Sequence, residues 1–307
     1  MQVHFALPTN RLGPAALTVG SFDGVHLGHR AVIDGLGRSA AEEGLERVLV
    51  TFDPHPRCVL DPESCPPMIT TLEERLELLR RYGVDHAVVL EFNRALAALT
   101  AEDFMGRVLA AMDLRRLVVG YDFALGRGRA GNVDWLTEHG RRAGYEVEVV
   151  PPFRLDGEQV HSSQVRRLLT LGEVQAANRL LGREYTMSGL VLPGDRVGRE
   201  MGWPTVNLSV AAGKLVPARG IYAGWASGAE GEHMAAISVG YRPTFTSMDL
   251  RVEAYLLDFT GDLYQHRLEL RFVARLHDEI KFPDVASLSE QIARDVESTR
   301  RLLSGRP

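Results

Sequence analysis

The sequence predicts an α/β domain followed by an all-β domain. A Rossmann-like, doubly wound parallel sheet is expected over residues 1–182, and an antiparallel Greek-key-type barrel with a terminal helix over 183–307. Three observations carry this. Short apolar, β-branched runs alternate with helical stretches from residue 16 to about 150, a spacing that demands crossover connections and therefore parallel strands. After Gly182 the chain turns to short alternating segments broken by Gly, Pro, Asn and Asp, the pattern of a barrel or sandwich. The last stretch, SLSEQIARDVESTRRLL, carries one apolar stripe. With 45% hydrophobic residues, a chain of 307 can build a core in each domain.

The elements follow in order. ALTVGSF is a short apolar run, HRAVIDGLGRSAAEEG has helical spacing, RVLVTF is β-branched, and TLEERLELLRRYG is a helix stopped by Gly83. HAVVLEF, TAEDFMGRVLAAM, RLVVGY, NVDWLTEHGRRAG and YEVEVV continue the alternation. Such sheets bind ligands at the carboxyl ends of their strands. VRRLLTLGEVQAANRLLG, ending at Gly182, closes the first domain, and the strands from YTMSGLVLPG to LELRFVARL form the second. Ser287 or Ser289 is expected to cap the last helix. With its own core and helix, a fragment of residues 183–307 is expected to fold and act alone.

Composition excludes several classes. A net charge of −5 provides no basic field for a nucleic acid backbone. No apolar run reaches membrane-span length, and MQVHFALPTNRLGPAALTVG lacks a basic start and a cleavage site, so a cytoplasmic protein without a membrane partner is expected. The sequence specifies no oligomeric state. Cys58 and Cys65 supply neither a disulfide framework nor a zinc cage and read as ordinary residues. Lys214 and Lys281 are the two lysines among 35 Lys and Arg residues, and neither lies in G-x-x-x-x-G-K-[ST], which excludes a P-loop.

In GSFDGVHLGHR, residues 20–30, His26 and His29 lie between a strand and a helix, where backbone N–H groups and the helix dipole favour an anion. Imidazoles there can donate hydrogen bonds to a triphosphate and to the charge that develops as its α-phosphorus is attacked. The glycines let backbone approach a ligand, and Asp23 sits at the turn. The plainer readings are a loop accident or part of a metal site. In SSQVRR, residues 162–167, Ser163 and Arg166 share one face of a helical first turn, a second phosphate grip or simply a serine cap beside a solvated arginine. GYDFALGRGRAGN, residues 120–132, reads as a substrate loop at the sheet's carboxyl edge or as a mobile basic loop. FDPHP, residues 52–56, holds His55 between two stiffening prolines, in a site or in a structural role.

In GDRVGREMGWPTVNL, Thr205 and Asn207 alternate onto one strand face, where they offer oxygens to Mg²⁺ and donors to phosphates, or merely leave a turn. Glu253 in RVEAYLLDF is an acid in an apolar strand; loss of water there would suit it to take a proton, whereas the plainer reading puts it on the wet face.

These blocks, with ITTLEERLELL, GIYAG, VGYRPTF and the DLY after VEAYLLDF, resemble the bacterial bifunctional riboflavin kinase/FMN adenylyltransferases, the FAD synthetase family, from about Thr18 to Leu303. The resemblance implies a nucleotidyltransferase first domain in which His26 and His29 hold ATP phosphates while the FMN phosphate attacks the α-phosphorus. Gly20, Phe22, Asp23, Gly24, Gly28, Ser163 and Arg166 would complete the ATP site, and Asp122, Phe123 and His55 would bind the flavin. It implies a riboflavin kinase-like second domain in which Thr205 and Asn207 hold Mg²⁺ and ATP phosphates, and Glu253 is the base for the terminal ribityl hydroxyl. ATP, riboflavin, FMN and FAD are then the substrates and products. Departures from the pattern are Ser21 for Asn, His161 for Ser, Leu125 for Phe, Gln265 for Gly and His277 for Arg. They leave two other readings open: a flavin-binding or sensing protein with vestigial ATP sites, and an adenylyl or cytidylyl transferase for another substrate.

Overall fold

The computed structural model describes residues 1–193, 198, 201–243 and 248–305. Within the GDRVGREMGWPTVNL and VGYRPTF blocks, residues 194–197, 199–200 and 244–247 lie outside the described residues. The chain forms two compact units, Met1–Pro67 with Thr71–His161, and Met68–Thr70 with Ser162–Pro307.

The first unit runs β1 (Gln2–His4), β2 (Leu12–Val19), α1 (Leu27–Glu43), β3 (Glu46–Asp53), α2 (Pro56–Leu60), α3 (Leu72–Arg81), β4 (His86–Glu91), α4 (Arg94–Ala97), α5 (Ala101–Ala111), β5 (Met112–Gly120), β6 (Ala124–Leu125), β7 (Gly131–Asn132), α6 (Val133–Ala143) and β8 (Glu146–Val150). Local chemistry sets the helix ends. Thr71 and Glu74 form a reciprocal capping box on α3, Thr100 caps α5, and Asn132 caps α6. Gly44 ends α1 in the left-handed conformation at φ 67°, which a side chain would resist. Six strands pair in the order β1-β4-β3-β2-β5-β8 and all are parallel. Buried on both faces, they read as the continuous apolar runs seen in the sequence. The short edge strand β1 was not foreseen; its polar QVH carries no strand signal of its own and is placed by pairing with β4.

The second unit opens with α7 (Ser162–Thr170) and α8 (Val174–Leu181) and continues with β11 (Tyr185–Leu192), β12 (Thr205–Leu208), β13 (Gly220–Gly228), β14 (Gly231–Pro243), β15 (Met248–Leu256), β16 (Arg267–His277) and α9 (Val285–Leu303); the chain between β8 and α7 carries the small hairpin β9 (Arg154–Leu155) and β10 (Glu158–Gln159). β11 to β16 close into an antiparallel barrel in the order β11-β12-β15-β14-β13-β16, which removes sheet edges. Tyr185, Tyr222 and Phe272 fill its interior, with ring centroids 5.4 and 6.0 Å from Phe272 for Tyr222 and Tyr185.

Three expectations change. The stretch from Ser162 to Gly182, assigned from sequence to the first domain, belongs to the second unit, because Val165, Leu168, Leu169, Val174, Ala177 and Leu181 share one core with the barrel. Asn178 ties α8 down, donating to the Phe272 carbonyl at 2.8 Å and accepting from the Tyr185 N–H at 2.7 Å. Cys58 and Cys65 are not ordinary residues but form a disulfide, since α2 and the turn after it bring their Cα atoms to 4.2 Å. Asp284, not Ser287 or Ser289, caps α9, accepting from the Ser287 N–H at 2.8 Å.

The barrel also takes three residues from far upstream. Met68 and Leu215 exchange backbone hydrogen bonds with this strand of chain, Met68 N–H to the Gly213 carbonyl and Leu215 N–H to the Met68 carbonyl, both 2.8 Å. Ile69 is fully buried in the barrel core. Lys214, buried, donates to the Ile69 carbonyl at 2.7 Å and the Thr186 carbonyl at 2.8 Å, with its ammonium 4.7 Å from the Tyr185 ring centroid.

Candidate active sites

In the first unit the sheet order reverses at β2: β3 and β4 extend to one side, β5 and β8 to the other. The carboxyl ends of β2 and β5 therefore flank the crevice where ligands of doubly wound sheets bind. GSFDGVHLGH follows β2, FDPHP follows β3, and YDF follows β5. The sequence-marked loops of this unit thus converge on one end of one sheet.

The loop after β2 is unusual backbone. Phe22, Gly24 and Val25 all have positive φ, 48°, 82° and 38°. For a bulky and a β-branched residue this costs roughly 1–3 kcal/mol each. The cost is offset by packing: Phe22 and Val25 are buried against Ile33 of α1 and against Leu78 and Leu79 of α3. Space at Gly20 and Gly28 is tight, since a Cβ would stand 3.0 Å from the Phe22 ring and 3.1 Å from the Val160 carbonyl, respectively.

His26 is the N-cap of α1: its Nδ1 accepts from the His29 N–H at 3.3 Å, and the side chain is 5% exposed. Nδ1 of the first ring is thus engaged with its own helix. The two rings stack at 3.8 Å and 16°, and His29, half-buried, leans on Phe22 at 5.1 Å. The stacked rings stand at the N-terminus of the 17-residue α1. Asp23 is buried in the same loop.

His55 caps α2, its Nδ1 accepting from the Arg57 N–H at 3.2 Å, so part of its role is structural. Asp122 is exposed, its carbonyl accepting from Arg129 at 2.8 Å, while Phe123 and Leu125 pack against the sheet core from a small β6–β7 hairpin. Ser163 and Arg166 both lie in the first turns of α7, in the second unit.

One residue of this site was missed. Arg75 on α3 is 3% exposed, and its guanidinium donates to the Ser21 carbonyl at 2.6 Å and the Phe52 carbonyl at 3.1 Å. Burial pushes it below the ordinary arginine range, opposed by the charges of Asp23 and Asp53. The sequence did hold a signal: in LEERLELL, Arg75 falls three residues after Leu72 and four before Leu79, on the helix's apolar stripe.

In the second unit a cavity of about 560 Å³ opens on the outer face of the barrel. Along β15, Val252 and Ala254 point into the core, whereas Arg251 and Glu253 line the cavity. Asn207 and Ser238 stand opposite Glu253 on the two neighbouring strands and line the same cavity, as does Thr205 two residues before Asn207. As the plainer reading of its strand has it, Glu253 lies on the outer face; its side chain is 32% exposed, 3.8 Å from the Arg251 guanidinium. Thr260, Asp262, Tyr264 and Glu279 also line the cavity; Asp262 and Tyr264 belong to the DLY block, whereas Thr260 and Glu279 were not singled out in the sequence. Gln265 has φ 64°, which accounts for a glycine preference there. His277 turns toward α9, its Nε2 2.7 Å from a carboxylate oxygen of buried Asp295.

Two family models match the chain, one for each half. A FAD synthetase model covers residues 9–164, and a riboflavin kinase model covers residues 181–303. The chain belongs to the bifunctional riboflavin kinase/FMN adenylyltransferase family. Relatives of that description are 34% identical in Listeria monocytogenes, over 92% of this chain and 91% of theirs, and 36% identical in Pseudomonas fluorescens, over 93% and 92%. The Escherichia coli K12 relative is 33% identical over 91% of this chain and 90% of its own. A crystal structure described as a macrolide-efflux protein from Streptococcus pneumoniae is similar across 98% of this chain and 99% of its own, at 28% identity and a TM-score of 0.90. Within the family the first unit is thus the FAD synthetase half, and the barrel is the riboflavin kinase half. No helix among the described residues is long and apolar enough to cross a membrane.

Proposed function

We propose that the barrel transfers the γ-phosphoryl group of ATP to riboflavin, giving FMN and ADP, and that the first unit joins FMN to the AMP portion of a second ATP, giving FAD and pyrophosphate. The observation that carries this reading is the match of both family models, one to each half of the chain, together with the barrel cavity that Thr205, Asn207 and Glu253 line.

In the barrel, Glu253 accepts the proton of the terminal ribityl hydroxyl as its oxygen attacks the γ-phosphorus. Thr205 and Asn207 supply neutral oxygens beside that carboxylate, a hard donor set that fits Mg²⁺ completed by phosphate oxygens. Mg²⁺ bound there would neutralise phosphate charge. Among the described residues no cluster of three or more His, Cys, Asp and Glu is placed to hold a metal on protein ligands alone.

In the first unit the N-terminus of α1, with Gly20, Phe22, Asp23, Gly24 and Gly28 shaping its approach, receives ATP phosphates. His29 and His26 stabilise charge as the FMN phosphate oxygen attacks the α-phosphorus and pyrophosphate leaves. Ser163 and Arg166, which open α7, match the family's Ser/Thr-x-x-Arg and are assigned to phosphate binding on that likeness. Asp122, Phe123 and His55 hold the flavin.

Purified protein supplied with riboflavin, ATP and Mg²⁺ should yield FMN and then FAD by chromatography; formation of neither overturns the proposal. His29→Ala should lower FAD formation about 10²- to 10³-fold and spare FMN formation. Glu253→Ala should lower FMN formation by about 10²- to 10⁴-fold while FMN, when supplied, is still converted to FAD. Loss of both steps in either folded variant would contradict the division of labour.

A further inference from the structure

We propose that Arg75 is a positioning residue for FAD formation, fixing the ends of β2 and β3 from which the His26–His29 loop and the His55 loop depart. This rests on assigning FAD formation to the first unit.

The argument starts from geometry. Ser21 and Phe52 lie at the carboxyl ends of adjacent parallel strands, and one guanidinium bridges their carbonyls, through Nη1 at 2.6 Å and Nη2 at 3.1 Å. The Ser21 carbonyl also accepts from the Thr51 hydroxyl at 3.0 Å, and the Gly20 N–H donates to Val50 at 3.0 Å, so the point where β2 becomes the site loop is pinned from β3 and α3 together. His26 follows five residues later, after a segment in which Phe22, Gly24 and Val25 hold left-handed backbone. Such a segment keeps its shape only while its surroundings impose it.

Charge supports the same reading. A buried guanidinium is costly unless countered, and the negative charges of Asp23 and Asp53 act on Arg75 from the two loops it joins. Nη1 and Nη2 donate to backbone carbonyls. Arg75 also shares its helix with Leu78 and Leu79, which pack on Phe22 and Val25. One helix therefore supplies both the apolar clamp and the polar staple. The fork geometry requires arginine, because a lysine ammonium is a point charge on a flexible stem.

The test uses the full chain, with FAD formation from FMN and FMN formation from riboflavin measured on each preparation. Arg75→Met should lower kcat for FAD formation by about 30- to 100-fold with KM values for ATP and FMN changed less than about threefold, as expected when reacting groups are misplaced rather than lost. FMN formation should stay within about twofold of the parent, and Arg75→Lys should recover part of the loss. A kcat within about threefold of the parent in Arg75→Met, or a rise in KM with kcat kept, overturns the proposal. If circular dichroism shows Arg75→Met unfolded, Arg75→Lys decides: about a fivefold or larger fall in kcat supports the role, and an unchanged kcat overturns it. His29→Ala is assayed alongside. FAD formation surviving there would overturn the site assignment, whereas its loss together with a parental rate in Arg75→Met would overturn only the role of Arg75.

Discussion

His26 does two things that a single alanine substitution would confuse. Its Nδ1 caps α1, and its ring backs His29. Asparagine is a strong N-cap, so His26→Asn should keep the thermal midpoint near that of the parent while lowering FAD formation, and His26→Ala should lose about 0.5–2 kcal/mol of stability as well. Equal thermal losses in the two variants would refute the capping role. At this scale the sequence marked most of the chemistry but not its orientation. Alternation along β15 separates Glu253 from Val252 and favours a wet face for the acid, yet says nothing about which face lies under a cleft; the cavity on that face is what the structure adds. Arg75 was passed over because a charged residue in a helix is read as solvated unless its place on the apolar stripe is checked.

Elements carry the next level of prediction. β1 is a three-residue edge strand held to β4, and near that pairing His4 stacks on His86 at 5.4 Å, with Nε2 and Nδ1 3.1 Å apart. Burial, and secondarily the neighbouring His86, hold His4 below the ordinary histidine value of 6.5, so the fold favours its neutral form. That contribution is present above about pH 6.5 and is lost as the pH falls through the lower folded value, because the unfolded chain then binds the proton more readily. Amides of β1 should exchange faster at about pH 5.5 than at about pH 7.5 after correction for intrinsic rates, and His4→Phe should remove the difference. Equal protection at both pH values would dismiss the coupling. Helix and strand types were legible where caps and periodicity agree, as in α3 and α5. The partner of an amphipathic element was not: the stripe of α7 and α8 announces a buried face, but whether it covers the sheet or the barrel depends on contacts far away in sequence.

At the scale of the whole molecule, both halves of the fold were legible and the boundary between them was not. A fragment beginning at residue 183 would discard α7 and α8, six of whose side chains lie in the barrel core. It should aggregate or melt well below a fragment beginning at residue 162, a comparison made by light scattering and thermal melting; equal stability would mean that the helices are dispensable cover. Lys214→Met should cost about 2–4 kcal/mol, since it leaves the Ile69 and Thr186 carbonyls without that donor. Chemical denaturation of the intact protein would measure it. The disulfide escaped sequence reasoning for a related cause: counting cysteines addresses frameworks and compartments, whereas pairing was decided by a local fold-back.

Because Met68–Thr70 reside with the barrel while their flanks reside with the sheet, the polypeptide passes from one unit to the other at three places, after Pro67, after Thr70 and after His161. Genetic exchange between relatives at one breakpoint near residue 161 would therefore pair a barrel from one parent with an inserted tripeptide from another. Chimeras should be viable only when that tripeptide and Lys214 are inherited together, so the unit of recombination is not the unit of sequence.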